Sequence, residues 1–315
     1  MGRRRRPTGP VADGVLVVDK PAGPTSHDVV GRVRRAVGHQ RVGHTGTLDP
    51  AATGVLVLCL GRATKLVRFL QAGRKTYAAR VQLGVTTASQ DAEGEVLARE
   101  DASHLDERTV CEALTRFQGE LQQLPPMVSA VKVGGERLHV RARRGEEVER
   151  EPRTVTVDSL VVEGFTPGPV AELSFLVTCS AGTYVRTIAH DLGETLGVGG
   201  SLTALRRLAN GPFGLDDAVD LAAVDEAGEA GALPLLDPLT ALARALPVVE
   251  VTDDALLRQL VQGGRLPATG EHGPYVVVRP GTEGRPPQLV GVYLDGPDGA
   301  PARPELVWTR PEELS

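Results

Sequence analysis

Apolar runs alternate with stretches that have a helical repeat of apolar positions. Over the first part of the chain this pattern predicts strands at 15–18, 55–60 and from 74 onward, and helices at 25–37 and 62–70. Thr25 or Ser26 is placed to cap the first helix, and Gly38 is placed to end it. The run at 55–60 contains no polar residue, which is typical of a strand buried on both faces.

The second part of the chain is richer in strand patterns. It predicts a hairpin turn at 83–94, a helix at about 106–117, strands at 153–163 and 170–179, and a helix that begins near Arg186. After a linker-like passage of Pro and Leu at 233–247, it predicts strands at 248–251, 275–278, 289–293 and 306–308 and a helix at 253–262. The expected fold is α+β, with a mixed, largely antiparallel sheet, flanking helices and a small C-terminal β-rich domain.

The least ordinary stretch is GHTGTLDPAATG at 43–54, directly before the apolar run. Its glycines permit positive φ angles, and Pro50 pushes Asp49 toward an extended backbone. The Asp49 carboxylate is therefore predicted on a loop that a rigid strand anchors, an arrangement that suits catalysis. For an Asp-Pro pair by itself, the alternative is an Asp that only caps a turn.

Charge is unevenly distributed. The net charge is −5 and aromatic residues make up 3 %, and neither value is typical of a nucleic-acid binder. Residues 1–80, however, hold 15 Lys and Arg against 4 Asp and Glu, a balance of +11, whereas residues 211–257 hold one Arg and ten acids. A basic segment around the acid loop predicts a face that attracts a polyanion, and ordinary surface charge is the alternative.

The cysteines, Cys59, Cys111 and Cys179, lie far apart without a C-x-x-C pair, so a structural zinc site is not expected. Cys59 and Cys179 lie in apolar runs and are expected to be buried thiols of a cytoplasmic protein. The longest apolar run has six residues, too few to cross a membrane. Residues 1–12 contain four consecutive arginines and are expected to form a disordered basic tail.

The Asp49 loop also resembles the motif of a known family. Residues 43–54 are similar to the G-H-T-G-x-L-D-P-x-A-T-G motif of the TruB pseudouridine synthases, which modify uridine 55 in the T-loop of tRNA. The resemblance extends to about residue 208 and implies that Asp49 is the essential catalytic residue. It also implies a pseudouridine-synthase catalytic domain at 13–235 and a PUA-like RNA-binding domain at 236–315.

Three more site residues follow from the resemblance. Lys20, in K-P-x-G-x-T-S, would help to build the floor of the site. Tyr77, in K-x-Y, would stack on the target base and is a candidate base for the C5 proton. Asp91, in G-x-x-T-x-S-x-D-x-x-G, would orient active-site partners. The alternative for Lys20 is a turn before a helix, and for Tyr77 it is a core aromatic on a strand. For Asp91 the alternative is an Asx-turn.

The motifs C-S-x-G-T-Y-V-R and L-R-R-L complete the implied site. Arg186 would pair with Asp49, Tyr184 would pack in the site and Leu205 would line the pocket. The physical chemistry agrees, because a guanidinium keeps a carboxylate ionised in a partly dry pocket. A surface ion pair for Arg186 and an amphipathic helix around Leu205 are the alternatives.

The family carries an RNA-clamping insertion, which would fall at about 124–150. The basic residues expected to hold RNA there are Lys132, Arg141, Arg143 and Arg144. Val128 and His139 stand where aromatic residues, usually Tyr, are expected, so charge should matter more than stacking. An exposed basic helix is the alternative for this segment.

The resemblance implies a monomeric isomerase that acts on the T-arm of tRNA and needs no metal or cofactor. The N1–C1′ bond of uridine breaks, the base rotates, and C5 joins C1′. Asp49 would attack ribose C1′ or remove the C2′ proton, and the sequence does not choose. The uridine must be flipped out, and His44 is a candidate to fill its place or to bond within the loop. An N-glycosidase and a non-catalytic RNA-binding protein are the rival functions.

Overall fold

The computed structural model describes residues 13–39, 41–127, 132–133, 136–137, 144 and 148–314. The expected basic tail at 1–12 lies outside the described residues, as do Val128, His139, Arg141 and Arg143 of the expected insertion. Within the insertion, Lys132–Val133 pairs with Glu136–Arg137 as a short antiparallel ladder. A helix is therefore not formed at these four residues.

The described residues form the following strands and helices. In chain order the strands are β1 (Gly14–Lys20), β2 (Val42–His44), β3 (Thr53–Leu60), β4 (Lys75–Leu83), β5 (Val85–Thr87), β6 (Val96–Arg99), β7 (Gly119–Gln123), β8 (Lys132–Val133), β9 (Glu136–Arg137), β10 (Arg153–Thr166), β11 (Ala171–Cys179), β12 (Gly200–Asn210), β13 (Phe213–Gly214), β14 (Val219–Asp220), β15 (Val248–Glu250), β16 (Tyr275–Arg279), β17 (Gln288–Leu294) and β18 (Arg303–Val307). The α-helices are α1 (Ser26–Val37), α2 (Val67–Leu70), α3 (Glu107–Leu114), α4 (Val185–Leu196), α5 (Leu221–Glu229), α6 (Pro238–Ala243) and α7 (Asp254–Leu260).

One large sheet is built from strands between residues 14 and 220, in the order β14-β1-β3-β12-β4-β11-β10-β7, with β2 beside β3 and β13 beside β12. Its pairs are antiparallel except β1 with β14 and β3 with β12, which are parallel. A second sheet has the order β15-β16-β17-β18. The predicted α+β fold, with a mixed, largely antiparallel sheet and a C-terminal β-rich domain, is confirmed.

Strand β3 is buried on both faces, as its apolar run predicts. Leu56, Leu58 and Leu60 pack with the apolar faces of α1 and α5. Val55, Val57 and Cys59 point to the other face, where they pack with residues of the C-terminal sheet. Because each face of the strand has its own core, every residue from 55 to 60 is inaccessible to solvent.

The C-terminal sheet shares this second core with the large sheet. Val276 and Val292 are fully buried in it together with Val57. Arg62 reinforces the contact, because its guanidinium stacks 4.8 Å from the ring centroid of Trp308, bonds to the carbonyl of that residue and pairs with Glu313 at 3.1 Å. The two sheets therefore belong to one packed body.

The linker-like reading of residues 233–247 is wrong for its central part. Asp237 accepts bonds from the backbone N–H groups of Leu239 and Thr240 and so caps α6, which begins with a proline. Leu242 on this helix is fully buried in the shared core. The sequence pattern hid the helix because α6 has only six residues.

Of the first two predicted helices, one is confirmed and the other changes in detail. Helix α1 is confirmed, with a Thr25 cap and Gly38 at φ +70° after its end. The helix expected at 62–70 is instead a 3₁₀ helix at Gly61–Leu66 followed by α2. The Thr64 hydroxyl bonds to the Gly61 carbonyl there at 2.8 Å, which competes with the α-helical pattern. In the described part of the chain, no helix is both long and apolar enough to cross a membrane.

The shared core predicts the effect of truncating Leu242. Leu242→Ala should lower the free energy of unfolding by about 2–5 kcal/mol, because it leaves a cavity between the two sheets. Leu97→Ala, at a side chain that is 64 % exposed, is the matched control and should change stability by less than about 0.5 kcal/mol. Urea unfolding measures both. A loss at Leu242 no larger than at Leu97 would mean that the passage is a linker after all.

Candidate active site

The loop between β2 and β3 carries Asp49 and is fixed from beneath. The Ser26 hydroxyl accepts a bond from the Leu48 N–H at 2.8 Å and donates one to the Leu48 carbonyl at 2.9 Å. Lys20 lies deeper and is inaccessible to solvent. Its ammonium group donates three bonds, to the carbonyls of Pro21 at 2.8 Å, Pro50 at 3.0 Å and Ala52 at 2.7 Å.

Lys20 therefore holds the backbone that carries Asp49, and its role in the floor of a catalytic site stays a prediction. All three of its ammonium protons bond to backbone carbonyls, so any effect on a substrate acts through the loop that Lys20 holds. Burial lowers the pKa of Lys20 to about 8, although the nearby Asp49 raises it.

Arg186 links the acid loop to a second acid. Its side chain is 5 % exposed, and its Nε lies 3.1 Å from Oδ2 of Asp49. Its Nη1 lies 3.1 Å from Oδ2 of Asp91 and donates to the carbonyl of Ser89 at 3.1 Å. One guanidinium thus bridges two carboxylates and a carbonyl, which fixes it in the plane that this set of partners defines.

A tight turn after β11 leads into α4, and Arg186 lies in the first helical turn of α4. Gly182, at φ +90°, lets the chain reverse after β11. Tyr184 is the N-cap residue but makes no capping bond with its side chain. Gln123 at the end of β7 holds the backbone of this residue, because its side chain accepts from the Tyr184 N–H at 2.7 Å and donates to the Tyr184 carbonyl at 2.9 Å.

Asp91 makes contacts that agree with both interpretations of it, as an Asx-turn residue and as a residue that orients Arg186. One carboxylate oxygen accepts from the Ser89 hydroxyl at 2.5 Å and the Glu93 N–H at 3.1 Å, as in an Asx-turn. The other oxygen contacts Arg186. Gln90, between Ser89 and Asp91, has φ +65°, and its side chain accepts a bond from Thr187 at 3.0 Å. The turn is therefore tied to α4 at two points.

Asp49 itself is 42 % exposed, so its carboxylate remains accessible from the cleft. Burial of the group raises its pKa above the ordinary value for Asp, and Arg186 opposes this rise. Asp91 adds to the rise and Lys20 again opposes it. Desolvation therefore outweighs the ion pair, whereas the sequence analysis considered only the stabilising effect of Arg186.

A cleft of about 320 Å³ opens beside Asp49 and Arg186. Tyr77, Tyr184 and Leu205 line it, as the resemblance implied. Tyr77 is 7 % exposed, and burial raises the pKa of its hydroxyl. Leu205 belongs to strand β12, so the alternative of an amphipathic helix at this position is wrong.

His44 lies at the end of β2, just before the acid loop. Its Nδ1 accepts a bond from the Gly46 N–H at 3.3 Å, and its ring meets that of His27 edge-on at 5.8 Å between centroids. These contacts agree with the reading of His44 as a residue that bonds within the loop. Its role in filling the place of a flipped base stays a prediction.

Four further residues belong to this region, and the sequence analysis did not assign them to the site. Arg207, Lys75 and Arg153 line the cleft, and Gln123 holds the turn that precedes Arg186. The alternation of a strand over 200–210 would have placed Arg207 on the same side as Leu205. Lys75 lies in the K-x-Y motif next to Tyr77, and burial lowers its pKa to about 8. Gln123 has no signal in the sequence.

The raised pKa of Asp49 predicts how stability depends on pH. A carboxyl group whose pKa is higher in the folded state contributes stability at low pH that is lost as pH rises through the folded pKa. Asp49→Asn should therefore be at least as stable as the wild type at pH 7, and any advantage should shrink toward pH 3. Thermal unfolding across this range measures the difference. A variant that is less stable at pH 7, with a gap that closes on acidification, would mean that the Arg186 pair outweighs burial.

Comparisons with known proteins identify the family of the chain. The family model described as "TruB family pseudouridylate synthase (N terminal domain)" matches residues 34–185, and the model described as "tRNA pseudouridylate synthase B C-terminal domain" matches residues 186–262. The chain is 48 % identical over 276 residues to tRNA pseudouridine synthase B of Thermobifida fusca, which covers 86 % of this chain and 92 % of the relative. It is 50 % identical over 260 residues to the protein of that name from Symbiobacterium thermophilum. This match covers 82 % of this chain and 85 % of the relative.

Solved structures extend the likeness to almost the whole fold. A crystal structure of a Cbf5-Nop10-Gar1 complex contains a chain with a TM-score of 0.71 and 26 % identity, which covers 96 % of this chain and 86 % of that one. A structure of an H/ACA RNP bound to a substrate RNA that contains 2′-deoxyuridine gives a TM-score of 0.69 at 26 % identity, with 96 % and 88 % covered. From the family models and the relatives together, the chain belongs to the TruB family of pseudouridylate synthases.

Proposed function

We propose that this protein converts uridine 55 in the T-loop of tRNA to pseudouridine, with Asp49 as the catalytic carboxylate. The observation that carries the proposal is the accessible Asp49 carboxylate, held 3.1 Å from a buried Arg186 beside a cleft, in a chain of the TruB family. The relatives that match most of the chain carry the name tRNA pseudouridine synthase B, which supports tRNA as the substrate.

The cleft suits one nucleoside. Its volume of about 320 Å³ is at the lower end of the range for ligand pockets, about 300–1,000 Å³, and is too small for paired nucleotides. The target uridine therefore enters flipped out of its stack, and the ring of Tyr77 lies in the wall that would meet the base. We propose that His44, at the end of β2 just before the acid loop, fills the gap left in the RNA.

The reaction moves one glycosidic bond and is neutral in electrons. The N1–C1′ bond breaks, the uracil rotates, C5 bonds to C1′, and the C5 proton is lost while N1 gains one. Ionised Asp49 either bonds to C1′ or takes the C2′ proton, and Arg186 stabilises the ionised form in both cases. The Tyr77 hydroxyl lies at the cleft to take part in the proton transfer at C5.

The basic residues of the chain would hold the tRNA backbone. Arg153 lines the cleft, and the exposed Arg41 lies on the segment that leads into the acid loop. We propose that Lys132, Arg141, Arg143 and Arg144 add phosphate contacts from the insertion, so that affinity falls steeply with salt. We further propose that the C-terminal domain binds RNA. The proposal also includes a monomeric state and a location in the cytoplasm, where tRNA is processed.

Asp49→Asn tests the assignment of the carboxylate. The variant keeps the shape of the side chain but removes its charge, so we expect tRNA binding without detectable pseudouridine at position 55. Asp101→Asn, at an exposed acid, is the matched control and should keep wild-type activity. Pseudouridine mapping after single-turnover incubation gives the result. Substantial activity of pure Asp49→Asn would refute the assignment, and loss of uracil from the RNA would indicate an N-glycosidase.

A second test uses the charge of Asp91. Because Asp91 raises the pKa of Asp49, Asp91→Asn should lower that pKa. Activity requires ionised Asp49, so the acid limb of the single-turnover rate should move to lower pH in this variant. The rate at the pH optimum should also fall, since Arg186 loses one of its partners. An acid limb that stays in place or moves to higher pH would show that another group controls it.

A further inference from the structure

Lys75 is a buried cation at the cleft that the reaction described above does not use. It begins strand β4, two residues before Tyr77, and is 5 % exposed. It lines the same cleft as Asp49. Its side chain also lies against the acid loop, because a Cβ atom added at Gly46 would be 3.4 Å from Cε of Lys75. The ammonium group is therefore held in the wall of the cleft, close to the loop that carries the acid.

The hydrogen bonds of Lys75 leave one of its donors without a protein partner. An ammonium group has three N–H donors and no acceptor. Two of those of Lys75 bond to carbonyls that follow α2, of Gln71 at 3.0 Å and of Gly73 at 3.1 Å. Lys20 differs, because all three of its donors bond to carbonyls. Among the residues that the structure describes, the third donor of Lys75 has no acceptor, so a group bound in the cleft can supply one.

The charge of Lys75 is poorly compensated in the protein. Burial, and after it the nearby Arg207, lower the pKa of Lys75 to about 8, whereas Cys179 opposes this shift. The group is still mostly protonated at pH 7, since its pKa lies above that value. A charged donor in a partly dry site interacts strongly with an anion. An anion that forms in the cleft would therefore be stabilised by Lys75.

The proposed reaction creates an anion of this kind. When the N1–C1′ bond breaks, its electron pair stays on the uracil, whether Asp49 bonds to C1′ or takes the C2′ proton. The negative charge then spreads over N1 and the two carbonyl oxygens of the base. It is consumed when C5 bonds to C1′.

We propose that Lys75 is a catalytic residue whose third N–H donates to a carbonyl oxygen of the departing uracil and stabilises the uracil anion. The ammonium group keeps its proton throughout, so the balance of the reaction does not change. This role rests on the proposed function, because it requires a nucleoside in the cleft. The interaction strengthens as the charge develops, so it lowers the barrier more than it strengthens binding of the substrate.

Removal of the charge tests the first part of this proposal. Lys75→Met should slow the single-turnover rate on uridine 55 by about 100-fold, as for loss of one preorganised donor, and should change tRNA affinity by less than about threefold. Lys65→Met, at an exposed lysine, is the matched control and should keep both values within about threefold of wild type. A wild-type rate in Lys75→Met would overturn the proposal.

Lys75→Gln covers the case in which Lys75→Met does not fold. The amide keeps N–H donors for the carbonyls of Gln71 and Gly73 but carries no charge. It should bring the same loss of rate as Lys75→Met, and thermal unfolding shows that the variant is folded. A wild-type rate in folded Lys75→Gln would overturn the proposal.

A better leaving group separates a catalytic role from support of the backbone. Fluorine at C5 withdraws electrons, so the anion of 5-fluorouracil needs less stabilisation than that of uracil. With 5-fluorouridine at position 55, the cost of Lys75→Met or Lys75→Gln should shrink from about 100-fold to about tenfold or less. Asp49→Asn should stay inactive with both substrates. Nuclease digestion and chromatography measure the loss of 5-fluorouridine.

The two substrates also distinguish failure of this proposal from failure of the proposed function. An equal cost of the Lys75 variants with uridine and 5-fluorouridine, in wild-type protein that is active on both, would mean that Lys75 only holds the backbone and would overturn the proposal. Wild-type protein that rearranges neither substrate would instead refute the proposed function, and the role of Lys75 with it.

Discussion

The backbone carbonyls of the acid loop have to be satisfied away from water, and two buried cations do this. Lys20 binds the loop from one side and Arg207 from the other. The carbonyls that they bind within the loop and the start of β3 belong to Gly46, Thr47, Pro50, Ala52 and Val55. A loop with this many fixed carbonyls has few alternative conformations, so the Asp49 carboxylate stays beside Arg186.

Opposing effects act on the pKa of Asp49 in this arrangement. Arg186 and Lys20 favour the ionised form of Asp49, whereas burial and Asp91 oppose it. Burial prevails and the pKa is raised, so the site holds an anion that costs stability at neutral pH. Strain of this kind is common where catalysis needs a poorly solvated nucleophile or base. Burial also lowers the pKa of the two buried lysines, Lys20 and Lys75, to about 8.

Much of the fold could be predicted from local patterns. The run at 55–60 predicted a strand buried on both faces, because two separate cores leave no position for a polar residue. Helix α6 could not be found, since six residues give too little periodicity and its burial depends on the distant C-terminal sheet. Residues 205–208 were open to a helical alternative, because the neighbours that make them a strand are far away in sequence.

The site shows the same division between local motif and tertiary context. The motifs identified some of the residues that line the cleft, but not Lys75, Arg153 or Arg207, and not the partners that position them. The Gln123 side chain bonds to the backbone of Tyr184, more than sixty residues away in the sequence, and no local feature marks it. Arg207 was visible in a motif, yet its inward direction depends on the pairing of β12 with β4.

The fate of the C5 hydrogen tests the central claim most directly. With tRNA deuterated at C5 of its uridines, isomerisation should release one deuteron per molecule into water, because C5 exchanges its hydrogen for the bond to C1′. Release should match the pseudouridine formed at position 55, and the RNA should otherwise keep its mass. Retention of the label with wild-type protein in excess, or release accompanied by loss of uracil, would contradict the account.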